Sequence, residues 1–97
     1  MKTLQEIKQT LAEHKRQLAQ DYYVKNIGIF GSYVSGRSSE ESDIDILVEF
    51  EKPVGFVKFI RLENYLSDLL GIKVDLVTRK ALKPRIGQKI LGELVSV

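Results

Sequence analysis

The chain has 97 residues, 43% of them apolar and 29% charged, with a net charge of +2 and no cysteine. That length predicts one small domain spanning residues 1–97, and the missing cysteines exclude disulfides and thiolate metal sites and agree with a reducing, cytoplasmic location. No apolar run approaches the ~20 residues of a membrane span, and the interspersed charge signs argue against a dedicated nucleic-acid binder.

In chain order, Thr3-Leu4-Gln5-Glu6 reads as a capping box. It opens a helix that carries Leu4, Ile7, Leu11, His14 and Leu18 on one stripe and ends near Gln20. The lone His14 on that stripe reads as a packing residue, and Tyr22 and Tyr23 as covers for the core edge. Strands follow at about 26–30 and 43–50. Pro53 suits the start of a helix with Phe56, Phe59, Ile60, Leu66 and Leu70 at core spacing, closed by Gly71 as C-cap. Residues 71–78 form a strand with Val74 and Leu76 on one face and Lys73, Asp75 and Val77 on the other. A last helix, weakened by Gly87 and Gly92, runs from Leu82 to Leu94. The order α-β-β-α-β-α predicts an α+β fold: a small mixed sheet with helices packed on one side and an open carboxylate face.

The chemistry concentrates in two short motifs. Ile27-Gly28-Ile29-Phe30 leads into Gly31-Ser32, and ten residues later comes Asp43-Ile44-Asp45. A strand alternates faces at ~3.3 Å per residue, so Asp43 and Asp45 point the same way, roughly 7 Å apart. Two carboxylates so placed bracket a Mg²⁺ ion, which binds through one or two carboxylates and the phosphates of its substrate. After Gly31 the chain turns into a Gly/Ser-rich segment whose backbone N–H groups, with the Ser32 hydroxyl, suit a triphosphate. Asp75 joins the same face if its strand lies beside that of Asp45. Its role would be partial metal ligand and acceptor of the proton from an attacking hydroxyl. Tyr33, in the loop, is a candidate nucleotide contact. Glu40 and Glu41 read as surface charges, and Ser42 as a turn residue.

These motifs resemble the minimal nucleotidyltransferase (MNT) domains of the polymerase-β-like superfamily, which are paired with HEPN-domain partners. The resemblance covers nearly the whole chain. It implies Gly31 and Ser32 on the triphosphate, with Ser42 and Arg37 as further nucleotide contacts. It implies Asp43, Asp45 and Asp75 as catalytic carboxylates holding two Mg²⁺ ions. It further implies an antitoxin that transfers AMP from ATP onto a tyrosine of a HEPN ribonuclease toxin. Many family members carry Arg directly before the second loop glycine, where this chain has Ser35. Arg37 is the nearest replacement, and Lys52 and Arg79 are less direct ones. Two rival readings are an antitoxin that works by binding and occlusion alone, and a nucleotide- or nucleic-acid-binding module. The latter rests on the positive run Arg79 to Arg85.

Overall fold

The computed structural model describes residues 2–37 and 42–97. Helix α1 (Leu4–Glu13) opens with the expected capping box, the Glu6 N–H donating to Thr3 Oγ1 (3.1 Å) and the Thr3 N–H to Glu6 Oε1 (3.2 Å). The helix does not run unbroken to Gln20. At His14 the imidazole Nδ1 lies 2.8 Å from the Thr10 carbonyl, the acceptor that its own backbone N–H would use in a continuing helix. That N–H turns to Leu11 O instead, and α2 (Lys15–Tyr22) resumes with Leu18 buried. It closes on Tyr23 at φ 58°, whose ring lies under the ammonium groups of Lys52 and Lys58, 4.0 and 4.7 Å from its centroid.

Four strands form a sheet of order β3-β2-β1-β4. β1 (Val24–Phe30) runs antiparallel to β2 (Ile44–Phe50) and to the short β4 (Val95–Ser96), while β2 and β3 (Val74–Thr78) are parallel. The parallel pair follows from the long crossover through α4 (Phe56–Leu70), which a hairpin could not supply. Ile27, Ile29, Ile44, Ile46, Val48, Val74 and Leu76 point to one face, where Ile7, Leu11, Leu18, Leu62, Leu66 and Leu70 cover them. The core therefore lies between the sheet and α1, α2 and α4, as the pattern predicts.

β3 is an edge strand, and α4 satisfies its outward amides. Val74 N–H donates to Ser67 Oγ (3.0 Å) and Leu76 N–H to Glu63 Oε2 (2.9 Å). Ser67 and Glu63 are four residues apart, so one helix face meets one strand edge.

Two elements differ from expectation. α4 begins at Phe56, capped by Gly55, and not at Pro53. Phe56 sits six positions before Leu62, about 120° around the helix from the buried stripe, and is 77% exposed. α5 (Pro84–Glu93) packs on the second face of the sheet. A Cβ on Gly28 would lie 2.7 Å from Leu94 Cδ1 and 3.1 Å from Val95 O, and Leu91 and Leu94 line a small cleft with Gly28 and Leu47 there. That helix covers the Leu47 end of the second face. Among the described residues no helix is long and apolar enough to cross a membrane.

Candidate active site

Asp45 stands near the start of β2, with Phe30 of β1 on one side and Asp75 of β3 directly beside it on the other. Asp43 precedes the strand on the same face by alternation. Ile44 N–H donates to Lys73 O (2.9 Å), which carries the parallel pairing back to Asp43 and holds it in line. Asp43 and Asp75 are exposed and Asp45 half-buried. The three expected carboxylates are thus brought together.

Gly31 completes the geometry. It has φ 79° and ψ −148°, backbone space open only to glycine. A Cβ here would collide with Asp45 Oδ2 and lie 3.0 Å from Asp45 Cγ. The chain then turns through α3 (Ser32–Ser35), a single turn held by Val34 and Ser35 N–H on Gly31 O (3.1 and 3.0 Å). The loop backbone is therefore packed directly against the Asp45 carboxylate.

Burial raises the pKa of Asp45 above the ordinary carboxylate value, and the negative charges of Asp75, Asp43 and Glu93 raise it further. Among the described residues, Lys73 Nζ is 3.9 Å from Asp43 Oδ2, with both side chains well exposed. Such a pair is worth little after solvent screening. Among the described residues no three His, Cys, Asp or Glu side chains enclose an ion by themselves. The donor set, hard oxygens with unbalanced negative charge, fits a divalent cation that takes its remaining ligands from substrate phosphates.

Residues 11–97 match the model of the nucleotidyltransferase domain family. The chain belongs to that family. It is 50% identical to the protein adenylyltransferase MntA of Thermococcus cleftensis over 97 residues, covering 100% of this chain and 98% of that one. A solved structure assigned to the minimal nucleotidyltransferases superposes with a TM-score of 0.77 at 30% identity, covering 94% of this chain and 95% of the other. A crystal structure of a toxin–antitoxin with AMP-PNP matches with a TM-score of 0.71 at 26% identity, covering 87% of this chain and 69% of that one.

Within this nucleotidyltransferase fold the remaining predicted residues fall as follows. Ser32 is the first residue of α3 and half-buried, next to Gly31, which serves as N-cap in its place. Ser35 Oγ donates back to Ser32 O (3.3 Å), and Arg37 N–H donates to the same carbonyl (3.0 Å), its side chain exposed. Ser42 is half-buried beside Asp43. Glu40 and Glu41 lie outside the described residues. Tyr33 is not a loop contact: it is 6% exposed and part of the core. Lys52 lies over Tyr23 and Arg79 pairs with Glu49 at 3.9 Å, and both line a groove at the far end of β2.

Glu93 is the residue that sequence reasoning missed. Val95 pairs with Ile29, so the chain entering β4 brings Glu93 level with Gly31, and its charge acts on Asp45. Nothing local marks it. Only the return of the chain terminus to β1 brings it into the site.

Proposed function

We propose that this chain transfers AMP from ATP to a hydroxyl, that of a tyrosine, on a partner HEPN ribonuclease toxin and so acts as its antitoxin. The observation that carries the reading is Asp45 packed between the Gly31 backbone and Asp75. The 50% identity to a protein adenylyltransferase and the likeness to a toxin–antitoxin with AMP-PNP support it.

Asp43, Asp45 and Asp75 would hold Mg²⁺, two ions by the family resemblance, which when bound neutralises phosphate charge and draws electrons from the α-phosphoryl group. The backbone at Gly31 and the Ser32 hydroxyl grip the triphosphate, with Ser42 and Arg37 at the margins of the loop. The acceptor oxygen attacks the α-phosphorus, the bond to the pyrophosphate oxygen breaks, and the hydroxyl proton passes to Asp75. We place the reaction in the cytoplasm, where ATP and Mg²⁺ are abundant and a cysteine-free chain loses nothing.

A second reading has its own observation. Ser35 occupies the position where many family members carry Arg, and its hydroxyl bonds back into the loop and not outward. An antitoxin that acts by occlusion needs no such arginine. Incubation with ATP labelled at the α-phosphate separates the two. Label on the partner with release of pyrophosphate supports transfer, and neutralisation of the partner without label supports occlusion.

A further inference from the structure

A wide groove lies away from the carboxylates. It has a volume of about 800 Å³ at the far end of β2, floored by Val48, Phe50 and Phe59 and rimmed by Phe56, Arg79 and Lys80. Asp45 and Glu49 at its edge share a strand face, so the groove begins ~13 Å from the catalytic carboxylates. Neither ATP phosphates nor a metal has a use for an aromatic floor at that distance.

Two features mark the groove as a place where another molecule sits. Phe56 and the adjoining Val57 are 77% and 64% exposed, although α4 is otherwise well packed. Isolated exposed apolar residues are unremarkable, but an exposed aromatic at the lip of an apolar groove is not. The second feature is charge. From Arg79 the chain continues through Lys80, Lys83, Arg85 and Lys89, all exposed, with no acidic residue until Glu93. Glu49 offsets Arg79 and Glu51 shares the groove lining with Lys80, while Lys83 caps α5 and Arg85 and Lys89 follow on that helix, whose last residue is Glu93.

We propose that this groove and the basic run beside it dock the protein that supplies the acceptor hydroxyl. The docked segment carries an apolar side chain, anchored against Phe56 and Phe59, followed by carboxylates that meet Lys80, Lys83, Arg85 and Lys89. A buried apolar anchor inside a charged rim is the usual anatomy of a specific protein contact. A protein is favoured over nucleic acid because Glu49 and Glu51 line the groove beside the phenylalanines, where a phosphate backbone would be repelled. The inference rests on the acceptor being a protein, and it names the surface that recognises it.

The test uses Phe56→Glu and the triple variant Lys80→Glu/Lys83→Glu/Arg85→Glu, all exposed positions outside the catalytic machinery. Affinity for a HEPN-domain partner protein is measured without nucleotide, and KM and kcat for AMP transfer are measured separately. Docking in the groove predicts that both variants weaken partner binding and raise the acceptor KM at least about tenfold, with kcat and the KM for ATP unchanged. Unchanged partner affinity in both variants overturns the proposal. So does a rise in the KM for ATP alone, which would make the groove a nucleotide site. A wild-type dimer dissociated by Phe56→Glu would assign the groove to a second copy. RNA binding lost in the triple variant, with acceptor KM unchanged, would assign the basic run to nucleic acid. Complex formation without AMP transfer would sink the transfer reading and leave the docking surface standing.

Discussion

The space that a side chain on Gly31 would fill is taken by the carboxylate of Asp45. One contact thus joins the turn that leaves β1 to the acidic residue of β2. Both constraints on this position, the φ of 79° and the lack of room, act together. Gly31→Ala is expected to cost about 1–3 kcal/mol of stability from backbone strain alone. It should also push the Asp45 carboxylate out of line. Chemical denaturation and AMP transfer, measured side by side, should both fall; a stable and active Ala variant would contradict this.

Asp45 is expected to destabilise the fold when ionised. Its folded-state pKa is raised, chiefly by burial and then by Asp75, so the native state holds its proton more tightly than the unfolded chain. Its stabilising contribution is complete below the unfolded value near 3.8 and is lost as pH rises through the higher folded value. Asp45→Asn should therefore raise the Tm at pH 7 in the absence of divalent cation. The gain should shrink to nothing on acidification below about pH 4. Melting curves across that range decide it, and a Tm lowered at pH 7 would show that burial is not what sets the charge of Asp45.

Glu93 raises the Asp45 pKa from across the sheet. Removing its charge with Glu93→Gln should lower that pKa, so the acid limb of the kcat/KM profile moves to lower pH. A residue that served packing alone would lower activity equally at every pH.

The edge of β3 offers a test of positioning. Glu63 and Ser67 hold the amides of Leu76 and Val74, the two residues flanking Asp75. Glu63→Ala leaves one of those amides without its partner and is expected to cost about 1–3 kcal/mol. Activity should fall by more than stability explains, because Asp75 loses a support on one side. Activity per folded molecule, measured well below the Tm, separates the two effects.

Much of this was legible in the chain. The alternation in Ile44-Asp45-Ile46 and in Val74-Asp75-Leu76 set both carboxylates on the face away from the core, and the structure pairs them in register. Thr3-Leu4-Gln5-Glu6 and Gly71 carried their helix ends locally. What escaped depends on contacts distant in sequence. The two-residue strand Val95–Ser96 is too short for a periodic signal and exists because Ile29 and Gly28 offer an edge. The break at His14 depends on a ring-to-carbonyl contact that periodicity does not register. Phe56 and Tyr33 were assigned to opposite surroundings by spacing. A helix phase of about 120°, and the packing of α3 on β1, reverse them.

The most direct test is intact-protein mass spectrometry of the HEPN partner after incubation with this chain, ATP and Mg²⁺. The account predicts a partner mass that rises in steps of one AMP. With Asp43→Asn/Asp45→Asn, checked to be folded and compared at equal partner occupancy, the rate of that rise should drop ~100-fold or more. An unmodified partner in a stable wild-type complex, or undiminished transfer by the double variant, would contradict it.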